Sequence, residues 1–149
     1  MRLANKVALI TGSAGGMGQV AAELFAQEGA SVVVTDIVAE AGQEVVRRIK
    51  DAGGQAIFVR ADVSQEAEVK GLVASAIEAF GRIDVLYNNA GIMPSDDGSV
   101  TDISEMTWDR VLDVNLKSAF LCSKYVLPHM VERGRGSIEI GRASCRERV

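Results

Sequence analysis

Four short apolar runs, separated by stretches with a helical pattern, constrain the fold of this chain more than any other feature. The runs are rich in β-branched residues and nearly continuous in hydrophobicity, which is typical of strands buried on both faces of a parallel sheet. They are KVALI (6–10), SVVVTD (31–36), AIFVR (56–60) and IDVLYN (83–88). Apolar residues at helical spacing occupy residues 17–25 and 69–80, and more weakly residues 45–49. This alternation predicts an α/β fold with a doubly wound parallel sheet and helices on both faces.

Length, charge and cysteine content exclude several classes of protein. The chain has 149 residues, room for about one domain, and a formal net charge of −4 at pH 7. It has no basic patch for nucleic acid, no apolar run near the ~20 residues of a membrane span, and no signal-peptide pattern. Two cysteines, Cys122 and Cys145, make no disulfide framework. We therefore expect a cytoplasmic protein with no nucleic-acid, membrane or metal partner.

A glycine-rich turn, ITGSAGGMGQ (10–19), joins the first predicted strand to the first predicted helix. Gly12 lets the chain turn off the strand, Gly16 leaves room for a phosphate, and Gly18 lets helix and strand pack closely. The N–H groups at the start of the helix favour a pyrophosphate. The alternative is a flexible connector that happens to be rich in glycine. The strand–turn–helix context favours a nucleotide site.

Asp36 ends the second predicted strand, where a carboxylate can accept hydrogen bonds from both ribose hydroxyls of an adenosine and repels a 2′-phosphate. No Lys or Arg occurs at residues 13–15 or directly after Asp36 to neutralise such a phosphate. The alternative is an acidic residue placed to suit the dipole of the next helix. The sequence predicts NAD as the cofactor.

Polar turns also follow the third and fourth predicted strands, at ADV (61–63) and NNAG (88–91). Ligands of open parallel sheets bind beyond the carboxyl ends of the strands, so we expect both turns to line the crevice that Asp36 borders. Asp62 can bond to the adenine amino group, with Val63 beside the ring. Since Asx residues and glycine are also ordinary turn formers, that alternative stays open.

Together these motifs resemble the short-chain dehydrogenase/reductase family over residues 6 to about 138. The resemblance is carried by T-G-x-x-x-G-x-G at 11–18, Asp36, the Asp62–Val63 pair, N-N-A-G at 88–91 and WDRVLDVNLKSAFLC at 108–122. It implies a Rossmann-type sheet of strand order 3-2-1-4 with a fifth strand barely begun. It also implies an NAD-dependent oxidoreductase, a small-molecule alcohol or carbonyl substrate, and a homo-oligomer. The cofactor-binding residues expected are Gly12, Ser13, Ala14, Gly16, Met17, Gly18, Asp36, Ile37, Asp62, Val63, Asn89, Ala90 and Gly91.

The resemblance assigns a catalytic part to Asn115, which matches the family's Asn that holds a water in a proton relay to a catalytic Lys. Asn115 shares an apolar stripe with Trp108 and Ala119 in a long predicted helix, residues 103–133, which Pro128 should bend or end early. The alternative is a structural Asn bonded to neighbouring backbone.

The family's other catalytic residues, a Ser and a Tyr-x-x-x-Lys pair, should follow the fifth strand, and this sequence contains neither. Tyr125 is followed four residues later by His129 rather than Lys, and it precedes that strand. We therefore expect Tyr125 to take no part in catalysis.

The last residues depart from the family's pattern: Glu139 replaces an expected apolar residue, and GRASCRERV (141–149) has neither strand alternation nor an apolar helical face. IGRASCRERV is also the string that a common short-read sequencing adapter encodes when it is read through. We therefore expect residues 139–149 to be a non-native tail and residues 1–138 to be an incomplete NAD-binding domain. The chain would then be an inactive N-terminal fragment of the oxidoreductase. A non-catalytic NAD-binding module for redox sensing or scaffolding is the alternative for the parent protein, and an inert truncated product for the chain itself.

Overall fold

The computed structural model describes residues 1–141, which form a five-stranded sheet in the order β3-β2-β1-β4-β5. All neighbouring strands pair in parallel. The strands are β1 (Val7–Thr11), β2 (Ser31–Asp36), β3 (Gln55–Arg60), β4 (Val85–Asn88) and β5 (Ser137–Ile140). The helices are α1 (Gly16–Gln27), α2 (Ala39–Asp51), α3 (Glu66–Phe80), α4 (Glu105–Leu112) and α5 (Ser118–Glu132). The predicted Rossmann-type α/β fold is confirmed.

Two apolar cores lie on opposite faces of the sheet, because successive side chains of a strand point to opposite sides. Ile10 of β1 packs in a core with Val45 of α2. Its neighbour Leu9 packs in the other core with Leu72 of α3 and Val126 of α5. Burial on both faces explains why the strands appear in the sequence as nearly continuous apolar runs. The crossovers between strands bring all carboxyl ends to one edge of the sheet.

No helix in residues 1–141 is long and apolar enough to cross a membrane.

The long helix predicted from residue 103 to 133 is interrupted. A π-helical segment, Asp113–Lys117, separates α4 from α5. A π turn adds residues to the helical repeat, so side chains that precede it and follow it at α-helical spacing no longer share a face. Trp108 is consequently 50% exposed, whereas Ala119 of the same predicted stripe is buried. The predicted single stripe is wrong for this reason.

Pro128 lies inside α5 and does not end it early, which corrects a second expectation. Proline lacks the N–H that would bond to the preceding turn, and this loss destabilises a helix interior. The turn after Pro128 is held instead by Met130, which is buried in the core between the sheet and α5.

β5 pairs with β4 from Ser137 beside Val85 to Ile140 beside Asn88. It therefore runs two residues past the boundary expected at residue 138. Backbone hydrogen bonds to β4 hold this segment, which also alternates polar and apolar residues from Ser137 to Ile140. The non-native origin expected for residues 139–149 stays a prediction, and residues 142–149 lie outside the described residues.

Candidate functional site

A crevice of about 760 Å³ opens at the carboxyl ends of the first four strands. This volume is in the range of small-molecule sites. One wall comes from the turns that follow the strands: Gly12, Asp36, Ile37, Ala61, Asp62, Val63, Ser64, Gln65, Ala90, Gly91 and Ile92. The opposite wall comes from α4 and the start of the π-helical segment: Glu105, Met106, Asp109, Arg110, Asp113 and Val114.

The crevice brings together seven of the thirteen predicted cofactor residues, and the other six do not line it. Those that line it are Gly12, Asp36, Ile37, Asp62, Val63, Ala90 and Gly91. The predicted residues that do not line it are Ser13, Ala14, Gly16, Met17, Gly18 and Asn89. Met17 is nevertheless half-exposed in the first turn of α1, so the start of that helix is open to solvent.

Two glycines of the first turn are required by close contacts. Gly12 has a φ of +62°, and a Cβ there would lie 2.8 Å from the Cα of Ala90. A Cβ on Gly18 would lie 2.2 Å from the carbonyl oxygen of Gly12 and 2.5 Å from Nδ2 of Asn89. Any larger residue at either position would push the first turn away from the turn after β4.

A buried hydrogen-bond network joins the end of β1 to the end of β4. Asn89 Nδ2 donates to the carbonyl oxygens of Thr11 at 3.0 Å and Gly12 at 2.9 Å. Thr11 Oγ1 accepts from the backbone N–H groups of Asn89 and Ala90, both at 3.0 Å. Asn89 therefore supports the crevice from behind with a side chain that is only 1% exposed.

Ser13 is also a supporting residue, because its side chain is fully buried. Its hydroxyl donates to the carbonyl oxygen of Ile10 at 2.7 Å and accepts from the Thr35 N–H at 3.0 Å. These bonds fix the glycine-rich turn against β2. The Ser13 hydroxyl has no further proton to offer to a ligand.

Asp36 borders the crevice with a carboxylate that is fixed on both sides. Oδ2 accepts from the Ala14 N–H and Oδ1 accepts from the Val38 N–H, each at 3.1 Å. A carboxylate has about four acceptor positions, so each oxygen keeps one for a ligand hydroxyl. The bond to Ala14 links the acidic group directly to the glycine-rich turn.

Asp62 combines a turn-forming role with its place on the crevice wall. Its Oδ1 accepts from the Ser64 N–H at 3.0 Å and from the Ser64 hydroxyl at 2.7 Å. The Asp62 N–H donates to Glu68 Oε2 at 2.8 Å. The turn-former alternative therefore holds for Oδ1, whereas Oδ2 accepts no hydrogen bond from the residues described.

Asn115 lies in the π-helical segment and binds the backbone after β4 at two points. Its Oδ1 accepts from the Ile92 N–H at 2.7 Å, and its Nδ2 donates to the Ile92 carbonyl at 2.9 Å. The side chain is thus used as a clamp, as the structural alternative predicts. It does not line the crevice, although its neighbour Val114 does. The water-holding role that the resemblance assigns to Asn115 stays a prediction.

The wall formed by α4 was missed by the sequence reasoning. Five carboxylates line the crevice, at Asp36, Asp62, Glu105, Asp109 and Asp113, together with one guanidinium, Arg110. No base neighbours Asp36 in sequence, whereas Arg110 reaches the same crevice through the fold. The motif WDRVLDVN contains Arg110, so its match to the family was the available signal.

The remaining reactive side chains lie away from the crevice. The Tyr125 hydroxyl donates to Glu66 Oε1, which also accepts from Lys124 Nζ at 2.8 Å. The hydrogen bonds from Lys124 and Tyr125 lower the pKa of Glu66 to about 2. Burial raises the pKa of the Cys122 thiol to about 12, so this thiol is not a nucleophile at neutral pH. No group of three or more potential metal ligands occurs in the part of the chain that the structure describes.

Among known families, the short chain dehydrogenase model matches residues 6–140. An uncharacterized oxidoreductase of Thermotoga maritima is 44% identical over 138 residues, which are 93% of this chain and 53% of that protein. A subunit of the (2S)-[(R)-hydroxy(phenyl)methyl]succinyl-CoA dehydrogenase of Thauera aromatica is 46% identical, over 93% of this chain and 55% of that protein. The chain thus spans about half the length of the curated relatives it matches.

Solved structures give the same family. A hydroxysteroid dehydrogenase from Escherichia coli superposes with a TM-score of 0.87 at 40% identity, over 93% of this chain and 58% of that one. A metagenomic short-chain oxidoreductase in complex with NADP superposes with a TM-score of 0.88 at 33% identity, over 94% and 63%. The match over residues 6–140 and the arrangement of turns around the crevice lead to one conclusion: the chain belongs to the short-chain dehydrogenase family.

Proposed function

We propose that the full protein is an oxidoreductase that transfers a hydride between NAD(H) and an alcohol or carbonyl substrate. The observation that carries the choice of cofactor is the Asp36 carboxylate, which borders the crevice and keeps acceptor positions free on both oxygens. An adenosine ribose offers two hydroxyl donors to such a group, whereas a 2′-phosphate would meet it with like charge.

Different residues in and beside the crevice then bind different parts of the dinucleotide. Ile37 and Val63 provide apolar contacts for the adenine, and Asp62 accepts from its amino group. The N-terminal turn of α1 takes the pyrophosphate, because its first N–H groups have no partner within the helix, Met17 is half-exposed there, and the turn contains no acidic side chain. Ala90 and Gly91 let the nicotinamide ribose approach the backbone after β4.

The bound nicotinamide supplies the hydride acceptor or donor, and the protein must supply the proton chemistry. In the family this is the work of a Ser and a Tyr-x-x-x-Lys pair, with Asn115 holding the relay water. We propose that the full protein carries the Ser, Tyr and Lys beyond residue 141, since the curated relatives are about twice as long as this chain. The chain of 149 residues is then inactive, and its reduced thiol Cys122 suits a cytoplasmic protein.

Cofactor choice is tested by titrating the chain with NADH and NADPH and following the fluorescence of the reduced nicotinamide. We expect NADH to bind at least about tenfold more tightly, because NADPH lacks the 2′-hydroxyl that would donate to the Asp36 carboxylate and places a phosphate of like charge beside it. Asp36→Ala should narrow this ratio. The matched control is Asp51→Ala, which removes an acidic side chain of α2 that does not line the crevice. Equal dissociation constants for both cofactors in the wild-type chain would refute the assignment of Asp36 to the ribose.

A further inference from the structure

Residues 92–103, the main part of the loop between β4 and α4, border the crevice and are held at two places. The first is its initial residue, Ile92, which lines the crevice and is clamped by the Asn115 amide. The second lies further along the loop, where Thr107 Oγ1 of α4 donates to Asp96 Oδ2 at 2.6 Å. The Asn115 clamp belongs to the site already described, but the second fastening does not.

The second fastening has a defined direction. Thr107 is only 4% exposed, and its Oγ1 lies 2.8 Å from the hydroxyl of Ser104. An ionised carboxylate can only accept, so the single proton of Thr107 goes to Asp96 and the Ser104 hydroxyl donates to Thr107. Ser104 Oγ in turn accepts from the Thr107 N–H at 3.1 Å, which caps α4. The start of the helix and the middle of the loop are therefore joined through one buried hydroxyl.

Charge supports the same arrangement. The hydrogen bond from Thr107 is the largest influence that lowers the pKa of Asp96, followed by a backbone N–H and the charge of Arg110. Asp96 is therefore an ionised acceptor at neutral pH. Arg110 lies one helical turn beyond Thr107, Met106 directly precedes Thr107, and both line the crevice. The turn of α4 that holds the loop is thus the turn that forms the crevice wall.

We propose that Thr107 and Asp96 are positioning residues for the dinucleotide site. Their hydrogen bond holds the loop and the first two turns of α4 together as one wall of the crevice. Neither residue lines the crevice, so both act through Met106 and Arg110. This inference rests on the proposed function, because it assigns the wall to cofactor binding.

The test compares four single variants of the chain by NADH titration, hydrogen–deuterium exchange and thermal melting. Thr107→Val removes the hydroxyl and keeps the branched shape, and Asp96→Ala removes the acceptor. Both should weaken NADH binding by about three- to tenfold, which is the range of one lost hydrogen bond. Both should also speed exchange across residues 92–103. Thr107→Ser keeps the hydroxyl and should stay within about twofold of wild type. Asp97→Ala removes the neighbouring acidic residue of the loop and is the matched control.

The double variant, Thr107→Val with Asp96→Ala, should bind NADH no more weakly than the poorer single variant, because both changes remove one bond. Additive losses would overturn the proposed coupling. If Thr107→Val lowers the melting temperature but leaves the dissociation constant for NADH unchanged, the hydrogen bond has only a structural role. That result would also overturn the proposal. If wild type binds NADH and Asp36→Ala shifts its preference while Thr107→Val binds normally, only this inference fails. If wild type does not bind NADH, the proposed function fails with it.

Discussion

Asp84 joins several elements at the amino end of the sheet, opposite the crevice. Its carboxylate is 5% exposed and accepts from the Val7 N–H at 2.9 Å, Arg82 Nε at 3.0 Å and Arg133 Nη2 at 3.1 Å. Burial raises the pKa of this carboxyl, but the hydrogen bonds and the charges of Arg133 and Arg82 outweigh burial. The pKa of Asp84 therefore lies below its ordinary value of 3.8.

This lowered pKa makes a prediction about stability and pH. A carboxyl whose pKa is lowered by folding stabilises the protein fully above its unfolded pKa, and that contribution is lost as the pH falls through the folded pKa. We expect Asp84→Asn to reduce the free energy of unfolding at pH 7 by about 2–3 kcal/mol, as for lost hydrogen bonds to charged groups. Urea denaturation should show a smaller difference from wild type below pH 3.8. Asp51→Asn, on the exposed side of α2, is the control, and a difference that does not change with pH would contradict this account.

At the scale of elements, the secondary structure could be predicted from the sequence wherever a segment is buried on both faces. The predicted second strand, residues 31–36, coincides with β2, since continuous apolar character leaves a parallel strand as its main interpretation. Between residues 103 and 133, the sequence did not predict the π-helical segment that separates α4 from α5. A π turn leaves no mark in apolar spacing, because it is stabilised here by the hydrogen bonds of Asn115 to a backbone distant in sequence.

One wall of the crevice could be predicted from the sequence, and the opposite wall could not. Turns that follow strands can be assigned from sequence, so Asp36 and Gly91 were found. The opposite wall could not be placed, because α4 reaches the crevice only through the path of the loop before it. The side chains of Ser13 and Asn89 hold the turns from behind, and the cofactor contacts expected of these two residues stay a prediction. Motif membership does not distinguish a contacting residue from a supporting one.

The clamp between Asn115 and Ile92 gives a prediction at this scale. Asn115→Leu keeps a side chain of similar size but leaves the Ile92 N–H and carbonyl without their partners. We expect the free energy of unfolding to fall by about 1–3 kcal/mol, the range for two hydrogen bonds lost between partly buried groups. Hydrogen exchange at the Ile92 amide should become faster in the same variant. Lys117→Ala, an exposed position of the same π-helical segment, should change neither measurement, and an equally large effect there would refute the specific role of the clamp.

At the scale of the whole molecule, exposed apolar residues are grouped on α5 and on α1 within residues 1–141. On α5 and the preceding π-helical segment, Leu116, Phe120, Leu127 and Val131 are 48–69% exposed. On α1, Val20 and Leu24 are 63% and 43% exposed. Apolar residues grouped on one face usually pack against further chain or another subunit. We propose that further chain and a second subunit cover these faces in the full protein.

The last prediction concerns that continuation. We propose that the native gene diverges from this sequence near codon 139, extends β5 with apolar residues, and then encodes the Ser and the Tyr-x-x-x-Lys pair that the family resemblance implies. A strand in the position of β5 ends beside Asn88, at the edge of the sheet where the crevice opens. A Tyr on the helix after it could reach a substrate carbonyl as general acid or base, with its pKa lowered by the Lys. The completed protein should therefore turn over an alcohol or carbonyl compound with NAD(H), whereas the 149-residue chain should not. Amplifying the locus from source DNA decides the matter, because codons for EIGRASCRERV followed by a stop would contradict the proposal.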